Sequence, residues 1–198
     1  MANAISPLLE DVEPLEEVLN SYEESFWNGY YGMMGKKLGL DEVKKTDKEL
    51  ISQFEKVLSE VQPDMTLFYR LLAKLPSGIQ EENIPGHFQE CFYSELETSE
   101  TASFKKLITD YSKRVKTNKI SRETSAAIMN RTNPRIILRN FQLHQAIEEL
   151  EKGENKLFLR LQEAMKDPYS TGGFENLVQK RPAWAETKAG CSMLSCSS

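Results

Sequence analysis

Thr46-Asp47-Lys48-Glu49-Leu50-Ile51-Ser52-Gln53-Phe54-Glu55-Lys56-Val57-Leu58-Ser59-Glu60-Val61 carries two helical signals in one stretch. Thr46 and Glu49 have capping-box spacing, in which each side chain satisfies a backbone donor at the other's position. Leu50, Ile51, Phe54, Val57, Leu58 and Val61 then recur three and four residues apart, which places them on one helical face. The same period runs through most of the chain, and strict apolar-polar alternation over a strand's length is hard to find. The fold class read from this pattern is all-α.

Working outward, a helix opens after Pro14 and lines up Leu15, Val18, Leu19, Tyr22, Phe26, Tyr30 and Met33, with Gly35 or Gly39 to end it. Asp64 reads as the cap of a helix bearing Leu67, Phe68, Leu71, Leu72 and Leu75, stopped by Pro76-Ser77-Gly78. From Ser77 to Glu100 the pattern is mostly loop, with one short helix near Phe88 to Leu96. Periodicity returns at Phe104, Leu107, Ile108, Tyr111 and Val115, followed by a short helix over Glu123 to Met129. Asn133-Pro134 reads as a helix start running to about Leu150, closed by Gly153 in a left-handed cap. A last helix carries Leu157, Phe158, Leu161, Ala164 and Met165. Beyond Pro168, the residues Gly172, Gly173, Pro182 and Gly190 prevent regular structure, so residues 1–166 form the helical region and 167–198 an extended arm and flexible tail.

At 198 residues, 39% hydrophobic and 28% charged, the chain has the composition of a soluble globular protein rather than a disordered one. A net charge of −5 gives no general pull toward nucleic acid or anionic membrane. No apolar run approaches the ~20 residues of a membrane span. Acidic Glu10, Asp11 and Glu13, with no basic leader, do not read as a targeting signal. Three cysteines, an odd number, fit a reducing compartment better than a disulfide scaffold.

Two of these cysteines lie in Gly190-Cys191-Ser192-Met193-Leu194-Ser195-Cys196-Ser197-Ser198. Chain ends are solvated as a rule, so Cys191 and Cys196 are expected to meet oxidants and other thiols readily. With Cys91, His87 and His144 they do not give zinc-ligand spacing. Arg135 and Arg139, four apart on the expected helix and flanked by Asn133 and Asn140, could clamp an anion; a structural hydrogen-bond cluster is the favoured reading. Between Lys105 and Arg139 ten Lys or Arg face only Asp110 and Glu123. Phe104 and Tyr111 there belong to the apolar stripe, so a solvated face or an internal charge match outweighs nucleic-acid binding. Trp27, Tyr30 and Tyr31, with Met33 and Met34, are read as packing residues rather than a ligand pocket. No nucleophile-base set, paired catalytic acid or phosphate-cradling glycine loop stands out.

Four blocks carry a resemblance. Arg181-Pro182-Ala183-Trp184 with Cys196-Ser197-Ser198, Asn133-Pro134-Arg135-Ile136-Ile137-Leu138-Arg139-Asn140, Lys37-Leu38-Gly39-Leu40 and Ala2-Asn3-Ala4-Ile5-Ser6-Pro7-Leu8-Leu9 resemble, in order and spacing, segments of the selenoprotein O family. That resemblance implies the C-terminal helical part of a kinase-like (pseudokinase) fold, in proteins that transfer AMP from ATP to protein hydroxyl groups. The family's lysine, its metal-binding Asn and Asp and its phosphate loop have no counterpart here. The chain is therefore expected to hold no catalytic, cofactor-binding or metal residue, with ATP and Mg belonging to the full-length protein. Cys196 stands at the family's selenocysteine position, which implies redox control through Cys191 or a cysteine of the missing half. The implied partners are that N-terminal kinase-like half and protein substrates, without nucleic acid or membrane. The implied location is mitochondrial for a eukaryotic parent and cytoplasmic for a bacterial one. An independent helical interaction module is the alternative. A thiol oxidoreductase built on Cys191 and Cys196 is weaker, since it lacks Cys-x-x-Cys spacing.

Overall fold

The computed structural model describes residues 11, 13–188 and 190–191; Cys196, the Ser197-Ser198 terminus and the Ala2 to Leu9 block lie outside the described residues. Among the described residues there are nine α-helices and no strand. They are α1 (Glu13–Lys37), α2 (Asp47–Val61), α3 (Met65–Ala73), α4 (Ile84–Phe88), α5 (Thr98–Val115), α6 (Arg122–Thr132), α7 (Asn140–Glu151), α8 (Lys156–Ala164) and α9 (Trp184–Thr187), with single 3-10 turns at Glu81–Asn83, Gln89–Cys91 and Glu175–Leu177.

The main core forms where α2 packs on α5 and α3 on α6. Phe68 of α3 sits at its centre with no solvent exposure, its ring 5.4 Å from Phe88, 6.1 Å from Phe104 and 6.3 Å from Phe54. Edge-to-face and offset rings interlock here, and burying each such side chain contributes roughly 1.5–3 kcal/mol. The apolar stripes of α2, α3 and α5 meet at this point, so the helical period read from the sequence is the period of the core. A smaller cluster holds Ile136, Ala146, Leu161, Ala164 and Leu177, between α7, α8 and the arm that follows them.

Helix ends follow local chemistry where local chemistry decides. Asp64 caps α3 by accepting from Leu67 N at 3.0 Å. Gly153 is left-handed after α7, with φ +80°. At the end of α1, Leu40 N donates to Gly35 O at 2.8 Å and Gly39 N to Lys36 O at 3.2 Å. With Gly39 at φ +66°, this is the Schellman arrangement.

Four expectations are corrected. Thr46 makes no cap: it has helical dihedrals, and the buried carboxylate of Asp47 accepts from Lys44 N instead, at 2.8 Å. The capping box stands at α5, where Glu97 N donates to Glu100 Oε2 at 2.8 Å and the Glu97 carboxylate accepts in return. The short helix expected near Phe88 to Leu96 lies earlier, at α4. Most consequentially, Asn133-Pro134 does not start a helix. Asn133 closes α6 through its N–H to Met129 O, and Arg135 N and Ile136 N both donate sideways to Pro168 O, at 2.8 and 3.1 Å. With their donors spent across the chain, residues 133–139 form no helix and α7 begins at Asn140. Finally, the segment after Pro168 packs against the body. Leu177 and Ala185 are buried, Gln142 donates to Leu177 O at 3.0 Å, and two helical turns form there.

Candidate functional site

The polar residues singled out by the sequence converge on chain crossings. The loop Lys37-Leu38-Gly39-Leu40 turns its first three carbonyls into the body, where each finds a side-chain donor. Asn133 Nδ2 donates to Lys37 O at 2.9 Å and Tyr111 OH to Leu38 O at 2.9 Å. Ser125 Oγ and Asn118 Nδ2 donate to Gly39 O at 2.6 and 2.9 Å. Two of the sequence blocks are thus joined directly, through Asn133. A buried carbonyl without a donor costs about 1–3 kcal/mol, so this loop depends on all four side chains.

A second crossing centres on Asp64. Arg139 grips its carboxylate with two N–H groups, at 2.5 and 3.0 Å, while Tyr93 OH donates to the same carboxylate at 3.2 Å. Both partners are withdrawn from water, with side-chain exposures of 12% for Arg139 and 2% for Asp64. The arm runs past this point: Lys180 donates to the Phe92 carbonyl, and the Arg181 guanidinium lies 5.3 Å over the Tyr93 ring. Arg135 faces elsewhere, donating to Gly173 O at 2.7 Å with Glu175 at 3.4 Å. A non-helical backbone separates the two guanidiniums that a helix would have aligned. Asn140 simply opens α7. The anion clamp is therefore absent among these residues, and the cluster Asn133, Arg135, Arg139 is a set of structural ties.

The basic stretch is largely matched within the molecule. Arg114 donates to both oxygens of buried Asp47, at 2.6 and 2.9 Å, and lies beside Asp41. Arg122 donates to the carbonyls of Leu72, Ala73 and Leu75, capping α3, and Lys106 and Lys113 flank Asp110. Sequence reasoning missed the Asp47–Arg114 pair, because Asp47 was read as part of a capping sequence. His87 Nε2 bonds Leu71 O at 2.9 Å, and His144 Nε2 lies 3.0 Å from Glu148 Oε1. Among the described residues no three His, Cys, Asp or Glu side chains are grouped to hold a metal ion, and no helix is long and apolar enough to cross a membrane.

Cys191 departs from its expected exposure. It is 5% exposed, packed with Phe141 and Ala185, where α9 and the Lys188–Glu148 pair (3.1 Å) draw the arm onto α7. Cys91 is buried in the main core, and burial, reinforced by the nearby charge of Asp64, pushes its thiol up to about 12. In native protein treated with N-ethylmaleimide, Cys91 should stay unlabelled and Cys191 should react only as fast as the arm opens. Replacing the fully buried Ala185 with Asp should speed labelling of Cys191 by about tenfold or more and leave Cys91 protected. Mass mapping of labelled peptides measures both, and wild-type Cys191 reacting like a free small-molecule thiol would contradict its packing.

Among the described residues this is an all-helical body whose buried polar groups tie the chain to itself. Comparison with known proteins gives this one its family. The family model described as protein adenylyltransferase SelO matches residues 1–166. Over its full length the chain is 46% identical to the protein nucleotidyltransferase YdiU of Cytophaga hutchinsonii, covering 38% of that protein. It is 36% identical to the corresponding protein of Flavobacterium johnsoniae and 33% to that of Rhodopirellula baltica, again over all of this chain, covering 38% and 39% of those proteins. The chain belongs to the SelO family of protein adenylyltransferases, and it spans about two fifths of the length of the curated relatives it matches.

Proposed function

We propose that this chain is the C-terminal, non-catalytic helical part of a protein adenylyltransferase, supporting a kinase-like region that handles ATP and Mg and moves AMP to protein hydroxyl groups. The observation that carries this reading is the use made of the chain's polar side chains. The carboxylates of Asp47 and Asp64 are each neutralised by an arginine of the same chain, and Asn133 is committed to backbone carbonyls. These residues do not fit a nucleotide-metal site, which needs carboxylates and amides free to face Mg and phosphate. The family model over residues 1–166 and the full-length likeness to the Cytophaga protein support adenylyl transfer as the activity to which such a scaffold contributes.

The redox part of the reading rests on Cys196, at the family's selenocysteine position. Its nearest cysteine in sequence is Cys191, and pairing with it requires the arm to release Cys191 from Phe141 and Ala185. An independent interaction module is the second reading, supported by the exposed apolar side chains of α1.

Titration of Mg-ATP into the purified chain, followed by calorimetry, should give no binding in the micromolar range. Micromolar binding would place a nucleotide site among these residues and overturn the proposal.

A further inference from the structure

Among the described residues, helix α1 is held at one end only. Its last turns carry Met34 and Gly35 into the core, but from Glu16 to Gly29 every residue is exposed. A free helical segment of this length is marginal in water, since packing rather than propensity supplies most helix stability in proteins. This segment is not dressed for water. Val18, Leu19, Tyr22, Phe26, Trp27 and, a turn further on, Met33 are all exposed by more than two fifths. The rings stack on one another along the helix, Tyr22 on Phe26 at 6.1 Å and Trp27 on Tyr31 at 5.6 Å; Tyr31 reaches the core and Lys48, while Tyr22, Phe26 and Trp27 stay exposed. An apolar surface of this kind, rich in Trp and Tyr, has the make-up of an interface centre.

We infer that the exposed face of α1 is the docking surface for the part of the adenylyltransferase that this chain does not contain, and that the matching surface is an apolar groove rimmed by Lys or Arg. The inference rests on the family reading above. Two observations choose the occupant. The chain accounts for 38% of the length of its Cytophaga relative, so the remaining polypeptide is the partner the family supplies. A second copy is disfavoured by charge: by helical spacing Glu16 and Glu23 fall between Phe26 and Trp27 at the edge of the apolar stripe, and pairing α1 with itself brings these acids together. The same two carboxylates favour a basic rim.

The test fuses this chain to the segment of the Cytophaga relative that it does not match, and follows amide hydrogen exchange along α1. Amides from Glu16 to Gly29 should exchange at least ~tenfold more slowly in the fusion than in the chain alone. The double substitution Phe26→Ala, Trp27→Ala should abolish that protection while leaving the urea midpoint of the isolated chain unchanged, because both side chains are exposed there. Equal exchange in fusion and isolated chain overturns the inference. So does protection that grows with the concentration of the isolated chain together with a dimer mass, which would make a second copy the occupant. AMP transfer by the fusion is scored separately. Transfer with α1 unprotected sinks the docking surface alone; α1 protected without transfer supports the docking surface and counts against the adenylyltransferase reading.

Discussion

Asp64→Ala is expected to destabilise the chain by about 3–5 kcal/mol, the cost of breaking a buried ion pair by removing one partner. Three effects coincide at this carboxylate. Arg139 loses its acidic partner and stays buried, α3 loses its cap at Leu67 N, and Tyr93 OH loses an acceptor. Asp64→Asn keeps a capping oxygen but not the charge, and should fall between the two. The informative variant is the double substitution Asp64→Ala, Arg139→Met, which removes the stranded cation; it should be less damaging than Asp64→Ala alone. Urea midpoints measure all three. If the double variant is the least stable of the set, the damage comes from lost packing and not from an uncompensated charge.

Gly39→Ala is the second large effect, with a loss of about 3 kcal/mol. A methyl group there would stand 2.4 Å from Ser125 Oγ and 2.8 Å from Met129 Cγ, in a backbone conformation that already disfavours side chains. Moving Ser125 aside would also take its hydrogen bond from Gly39 O. Gly153 provides the comparison, since its φ is likewise positive, at +80°, but nothing lies within 4 Å of an added methyl. Gly153→Ala should therefore cost only the backbone strain, about 1–2 kcal/mol. Similar losses for the two variants would show that crowding at Gly39 contributes little.

These two positions also mark what was legible in advance. Asp64, Gly153 and the stripe of α2 act through residues three or four positions away, so a linear reading finds them. Gly39 was visible as a helix stop, while its crowding by Ser125 and Met129 comes from a helix far along the chain. The Asn133-Pro134 helix start had sound local chemistry and lost to Lys37 and Pro168, partners that no local pattern announces. Cys191 was read as solvated for its nearness to the terminus, and is buried by Phe141 and Ala185. Periodicity likewise treats α1 and α2 alike, though α2 turns its stripe into the core and α1 holds most of its own out to solvent. The candidate site shared this limit: the residue types in the Asn133 to Asn140 block were plain, but their employment as ties depended on a non-helical backbone.

The shared acceptor at Pro168 bears on how far this polypeptide can be trimmed. Ending it at the last residue matched by the family model would delete the carbonyl that receives Arg135 N and Ile136 N, and with it Leu177, which fills the smaller apolar cluster and receives the Gln142 amide. Two inward-facing amides and a carboxamide would be orphaned by one cut. The minimal stable unit accordingly extends past Leu177, and a protease that nicks the glycine-rich bend before it would loosen α7 from α8 as well as the arm.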